Sequence, residues 1–225
     1  CINRCVKLCT LPLTRGIAVT LRVKSKFIFL VLLPFFTIYF LLQSVMAIDT
    51  SYNLITDLDK IIPFIPEFIW IYHTIIPVYI FTILLLIEKR SVFLTAMAST
   101  VLASVSMLTF YAIFPAFYPR DGYVEASISG FLVELTRSID GSNNTFPSSH
   151  VTFAWLLVLF VGLSEFVKKH RWVQFIYVLW ACLISISTVV LKQHFILDVF
   201  SGINLAALCY FLAKSFVFER MLLTN

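Results

Sequence analysis

Residues 172–217 read WVQFIYVLWACLISISTVVLKQHFILDVFSGINLAALCYFLAKSFV, an apolar stretch that a short polar segment interrupts near its middle. As one unbroken helix the stretch would be about 69 Å long, whereas the hydrocarbon core of a bilayer is about 30 Å thick. The chain must therefore turn back near Leu191–His194. We predict two spanning helices, 172–190 and 195–217, joined by a turn at a membrane surface.

Apolar residues dominate the whole chain. Of its 225 residues, 60% are hydrophobic and only 13% are charged, whereas a soluble domain carries about 25% charged residues. This composition excludes an ordinary soluble domain. The net charge of +5 fits the basic cytoplasmic segments of a membrane protein better than nucleic-acid binding. Four further stretches approach the length of about 20 residues that a bilayer requires: 27–47, 68–87, 92–114 and 148–166.

These stretches together predict an all-α, polytopic membrane protein with six transmembrane helices in a bundle. The chain then divides into a basic N-terminal segment (1–26), a membrane domain (27–217) and a C-terminal tail (218–225). If the N-terminus is inside, only four of the 17 basic residues fall on the outer side. Because cytoplasmic segments carry the excess of Lys and Arg, we expect both termini in the cytoplasm. The short loops favour a bacterial inner membrane, and we expect no cleavable signal peptide.

The first of two chemically informative segments is Phe146-Pro-Ser-Ser-His150. Pro147 suits the first turn of a helix, where free backbone N–H groups and the helix dipole favour an anion. Ser148 and Ser149 add hydroxyl donors, and His150 lies in the same turn. Taken alone, the segment is also typical of a capped helix start with an interfacial histidine.

The second segment surrounds the predicted turn. His194 and Asp198 are four residues apart and therefore share one face of a helix. A carboxylate that bonds to one imidazole nitrogen fixes the tautomer and makes the other nitrogen a better nucleophile. Asp198 would be costly in an apolar helix without such a partner, although a purely structural pair is an alternative. The charge-based topology places both segments on the same side of the membrane.

Together the two segments resemble the signatures of the phosphatidic acid phosphatase type 2 superfamily. Pro147-Ser-Ser-His150 resembles the second signature, Pro-Ser-Gly-His, with Ser149 in place of the glycine. Ser187, His194 and Asp198 match the third, Ser-Arg-x5-His-x3-Asp. The sequence around both signatures is similar to the branch that contains inositol phosphoceramide synthase-like proteins.

Two cations of the family pattern are missing. Arg120 matches the arginine of the first signature, Lys-x6-Arg-Pro, but the lysine position falls on Ile113 and the proline position on Asp121. The arginine position of the third signature falls on Thr188. Lys192 is a candidate replacement for one of the missing cations.

The resemblance implies a membrane-embedded lipid phosphatase that hydrolyses a phosphomonoester or diphosphate lipid. The reaction would proceed through a phosphohistidine at the outer face of the membrane that the protein spans. The resemblance also implies that His194 attacks phosphorus, that Asp198 orients His194, and that His150 protonates the leaving alkoxide. The groups expected to bind the phosphoryl oxygens are Arg120, Lys192, Ser148 and Ser149. No metal or other cofactor is implied, and the expected partners are a phosphorylated lipid and the bilayer.

Three alternatives stay open. The chain could be a phosphotransferase that moves a phospho-headgroup between lipids, a metal enzyme with His150, His194 and Asp198 as ligands, or a non-catalytic relative. Residues 124–139 have the periodicity of an amphipathic helix on the outer leaflet. Such a helix could be a lid over the site or a connector, and we interpret it as a connector. We interpret Arg137 and Asp140 as ordinary loop residues.

Overall fold

The computed structural model describes residues 18–45, 51–120 and 126–223, in which the regular secondary structure is helical. The predicted all-α class is confirmed for these residues. The helices are α1 (Leu21–Val45), α2 (Asp57–Ile61), α3 (Pro66–Leu86), α4 (Arg90–Ile113), α5 (Ile128–Ile139), α6 (Ser149–Val161), α7 (Glu165–Lys169), α8 (Arg171–Val190) and α9 (Ile196–Leu223). Most of the predicted N-terminal segment, residues 1–17, lies outside the described residues.

Five of the described helices are long and apolar enough to cross a membrane: α1, α3, α4, α8 and α9. The stretch predicted as the remaining span, 148–166, forms a shorter helix, because α6 has only 13 residues. At about 1.5 Å per residue it is about 20 Å long, less than the hydrocarbon thickness of about 30 Å. The count of six spans is therefore not confirmed.

Helix α6 lies inside the protein. It packs against both α8 and α9, and α4 packs against α9. Apolar side chains point outward all around α6, as is typical of a helix that lies in a protein core or within a membrane. The buried residues of α6 are Val151, Thr152, Phe153, Ala154, Leu156, Leu157, Val158, Phe160 and Val161.

Helices α6 and α9 touch at their starting turns. A methyl group at Gly202 would lie 3.0 Å from the carbonyl oxygen of Ser148 and 3.1 Å from Cβ of Val151. The backbone N–H of Ser148 also donates to the carbonyl of Asp198, at 3.3 Å. The absence of a side chain at Gly202 therefore lets the helices that carry His150 and Asp198 approach each other.

The predicted turn near Leu191–His194 is confirmed, and the segment before α3 holds it in place. The Lys192 ammonium donates to the carbonyls of Asp59, at 2.8 Å, and Ile62, at 2.6 Å. Asp59 is 1% exposed, and its Oδ1 accepts the backbone N–H of Ile196 at 2.8 Å. The start of α9 is thus fixed by a carboxylate from more than 130 residues earlier in the chain.

Helix α5 has the amphipathic character that the sequence predicts, although it begins at Ile128, and residues 121–125 lie outside the described ranges. Ser127 caps it by accepting the N–H of Gly130. Val133 and Thr136 are buried, and Trp70 of α3 donates to Ser129. The opposite face is apolar and exposed, as expected for contact with lipid: Ile128, Phe131, Leu135 and Ile139.

We expect Gly202→Leu to lower the melting temperature of the detergent-purified protein, because overpacking a tight contact costs about 1–3 kcal/mol. Gly162→Leu is the matched control, since a side chain there would meet only the movable amide end of Gln174. Equal melting temperatures for the two variants would contradict the close approach of α6 and α9.

We also expect Asp59→Ala to destabilise the turn that carries His194, because the N–H groups of Thr56 and Ile196 both lose their acceptor. Each buried donor left without a partner costs about 1–3 kcal/mol. Asp57→Ala is the control, because the Asp57 side chain is 97% exposed. The prediction fails if denaturant unfolding of the two variants occurs at the same midpoint.

Candidate active site

The His194 and Asp198 side chains meet as the sequence predicts. Nδ1 of His194 lies 3.2 Å from Oδ2 of Asp198 and 2.8 Å from the carbonyl oxygen of Thr145. Because a carbonyl only accepts hydrogen bonds, Nδ1 must carry the proton. When the ring is neutral, Nε2 then holds a lone pair. The arrangement therefore leaves the nitrogen that faces away from Asp198 available as a nucleophile.

Burial and a further hydrogen bond fix the Asp198 carboxylate. Asp198 is fully buried and His194 is 7% exposed. Oδ2 of Asp198 also accepts the backbone N–H of Phe195 at 3.0 Å. A buried carboxylate needs such partners, since desolvation penalises an isolated charge. The pair is thus a rigid unit in the first turn of α9.

His150 lies beside His194, with 6.4 Å between the two ring centroids. Its ring stacks on Tyr72 of α3, with the centroids 4.0 Å apart and the planes 22° from parallel. Nδ1 of His150 is buried and has no hydrogen-bond partner among the described residues. Stacking therefore orients His150 and leaves Nδ1 available to a ligand.

The two predicted serine ligands occupy different environments at the start of α6. Ser148 is fully buried and caps the helix, because its hydroxyl oxygen accepts the N–H of Val151. Ser149 is half-buried and borders a cavity next to His150. The Tyr111 hydroxyl donates to the carbonyl of Pro147 at 2.9 Å and anchors this turn to α4.

The two predicted cationic ligands also differ. Arg120 donates from Nη1 to the carbonyl of Asp140, and its Nε is buried without a partner in the described part of the chain. The Lys192 ammonium contacts the carbonyls of Asp59 and Ile62. Lys192 is therefore seen supporting the turn, and its binding of phosphate stays a prediction.

Asp140, which the sequence led us to interpret as an ordinary loop residue, borders the same cavity as His150. Its carboxylate accepts a hydrogen bond from the Tyr39 hydroxyl at 2.5 Å. Burial raises the pKa of the Asp140 carboxyl, and the Tyr39 bond and the charges of Arg120 and His194 partly offset that rise. Arg137, by contrast, pairs with Glu134 at 3.8 Å and lies over the ring of Phe64. No sequence signal linked Tyr39 to Asp140, because 101 residues separate them.

A cavity of about 240 Å³ adjoins this cluster. Ser149, His150 and Asp140 border it, and it continues between α1, α3 and α5. Within the described ranges, no group of three His, Cys, Asp or Glu side chains is arranged to hold a metal ion.

Comparison with known proteins identifies the family. A family model described as "PAP2 superfamily" matches residues 90–222. No curated protein matches the chain. The crystal structure of Aquifex aeolicus LpxE is 18% identical in sequence, with a TM-score of 0.47 over 78% of this chain and 91% of that chain.

The family match covers more than half of the chain and contains all three residues of the histidine cluster, His150, His194 and Asp198. It is the same family that the signature residues resemble, and it confirms the predicted enzyme class, a phosphatase acting on phosphate esters. This chain therefore belongs to the PAP2 superfamily.

Proposed function

We propose that this protein is a lipid phosphatase that hydrolyses a phosphomonoester or diphosphate lipid through a phosphohistidine at the outer face of the membrane. The observation that carries the proposal is the environment of His194. Thr145 and Asp198 engage Nδ1, so that Nε2 is the nitrogen available for attack. A second histidine, His150, lies beside it with no competing bond at Nδ1 among the described residues.

In the first step, Nε2 of His194 attacks phosphorus as the bond from phosphorus to the lipid oxygen breaks. His150 donates a proton to the leaving oxygen, so the lipid departs as a neutral alcohol. The imidazole of His194 gains positive charge as the N–P bond forms. The buried carboxylate of Asp198 stabilises that charge, and electrostatic stabilisation of this kind is strong where water is excluded.

In the second step, His150 is neutral and accepts a proton from a water molecule. The water oxygen attacks phosphorus, the N–P bond breaks, and inorganic phosphate leaves. His194 returns to its neutral form with the proton still on Nδ1. His150 thus serves as acid and then as base, and the enzyme ends the cycle in its starting state.

Charge stabilisation is the main task of a phosphoryl-transfer site. The N-terminus of α6 presents backbone N–H groups and the positive end of a helix dipole. Ser149 and the guanidinium of Arg120 lie at the same cluster and are the proposed ligands of the phosphoryl oxygens. Ser148, which matches the second family signature, and Lys192, the candidate replacement for a missing signature cation, are assigned the same role.

The proposed orientation places the cluster outside and the basic helix ends inside. Lys89 and Lys168 both pair with Glu165, at 3.0 and 2.9 Å, at the opposite end of the bundle from His194. Positive residues favour the cytoplasmic side. In this arrangement α6 is a sixth, protein-enclosed pass within the domain 27–217, both termini are cytoplasmic, and the host is a bacterial inner membrane.

We expect His194→Asn to abolish phosphate release from a panel of lipid phosphates, with a loss of about 10³-fold or more, as is typical when a covalent nucleophile is removed. His170→Asn is the matched control, because His170 separates α7 from α8 at the opposite end. Release by the parent that persists in His194→Asn would contradict the mechanism. If neither the parent nor the variant releases phosphate, the hydrolase proposal fails, and headgroup transfer would then be measured.

We expect the effect of His150→Ala to depend on the leaving group. An alkyl phosphate needs a proton on its leaving oxygen, whereas p-nitrophenolate leaves without one. The variant should therefore release a rapid burst of about one equivalent of p-nitrophenolate and then slow down, because the second step still lacks its base. If His150→Ala slows the first turnover equally for the alkyl and the p-nitrophenyl ester, the role of His150 as an acid is contradicted.

A further inference from the structure

The cavity beside His150 has an opening toward the lipid-facing surface. Four of its lining residues are 40–58% exposed, and their side chains are apolar: Phe40, Ile76, Leu135 and Ile139. Its deeper wall is also apolar but buried, with Phe35, Tyr79 and Phe153 each at most 7% exposed. A hydrocarbon chain can therefore enter from the bilayer without crossing water.

A polar cluster stands beside this apolar channel. Tyr72 is 2% exposed, borders the cavity, and its hydroxyl has no hydrogen-bond partner among the described residues. Asp140 also borders the cavity, and within the described chain Tyr39 is the donor to its carboxylate. A buried hydroxyl without a partner is costly. Its position next to His150 points to a polar group of a ligand.

We propose that this cavity binds a single hydrocarbon chain of the lipid substrate's alcohol, and that Tyr72 and Asp140 recognise a hydroxyl or amino group near the ester oxygen of that alcohol. The inference rests on the proposed function. His150 protonates the leaving oxygen, so the alcohol side of the substrate must be the side next to His150. The cavity starts there, which places the chain of the alcohol in it.

Size and polarity restrict the substrate class. The cavity of about 240 Å³ is smaller than the 300–1,000 Å³ or so of a typical drug-sized site. It therefore suits one chain better than two. The Asp140 carboxylate only accepts hydrogen bonds when ionised, so the recognised group must be a donor. The class is a single-chain lipid phosphate with a free hydroxyl or amino group, rather than a fully acylated one.

The test measures dissociation constants in the His194→Asn background, where hydrolysis does not interfere. The probes are a monoacylglycerol phosphate, the same molecule without its free hydroxyl, a sphingoid-base phosphate that carries an amino group, and a diacylglycerol phosphate. We expect the first or third to bind about tenfold more tightly than the second and fourth, as for a hydrogen bond to a charged group. Whichever of the first and third binds more tightly identifies the donor.

Two substitutions assign the preference to the cavity. Tyr72→Phe keeps the ring that stacks on His150 and removes only the hydroxyl, so the tenfold preference should fall to about twofold or less. Lengthening the hydrocarbon chain of the lipid probe from eight to sixteen carbons should raise its affinity, and Leu135→Trp should make this gain smaller. Phe131→Trp is its control, because Phe131 is 66% exposed on the same helix and does not line the cavity.

The outcomes separate this inference from the proposed function. Equal dissociation constants for all four lipids, or a preference that Tyr72→Phe leaves intact, would overturn the inference even if the parent protein releases phosphate. A preference that Tyr72→Phe removes would uphold the inference even if the parent releases none, and only the hydrolase proposal would then fail.

Discussion

The hydrogen bond from Nδ1 of His194 to the carbonyl of Thr145 is the interaction on which the site depends. Together with Asp198 it fixes which ring nitrogen carries the proton. The bond joins the loop before α6 to the turn before α9, so both must be held to a fraction of an ångström. Gly202 permits α9 to lie against α6. Asp59 and Lys192 hold the turn from the side of α2.

Burial explains why so many polar side chains cooperate here. Asp198 and Asp59 are both almost inaccessible to solvent. The Asp59 carboxylate accepts two backbone N–H groups and the Thr56 hydroxyl. Asp198 accepts one backbone N–H and bonds to His194 through Oδ2, whereas its Oδ1 has no hydrogen-bond partner among the described residues. These hydrogen bonds limit the desolvation penalty, and the same low-dielectric surroundings strengthen the charge interactions of both carboxylates. The network that stabilises the fold at this end of the helices therefore also orients the His194 ring.

The sequence predicts those features that depend on neighbours in the chain. The all-α class, the turn at 191–194 and the His194–Asp198 pair follow from hydropathy and from a four-residue spacing. Features that depend on distant contacts did not follow. Asp140 is bonded to Tyr39, which is 101 residues away, and α6 is enclosed by α8 and α9. The hydrogen bond from the Lys192 ammonium to the carbonyl of Asp59 likewise joins residues that are far apart in the chain.

In the proposed mechanism, Nε2 of His194 becomes covalently attached to phosphorus. The most direct test of this step is to trap the intermediate in the His150→Ala protein with an isotopically labelled phosphate ester and to locate the phosphorus–nitrogen bond by NMR. The structure predicts attachment at Nε2 of His194, because Nδ1 is engaged by Thr145 and Asp198. Attachment at Nδ1, at another residue, or a protein that turns over substrate with no phosphorylated form would contradict the account.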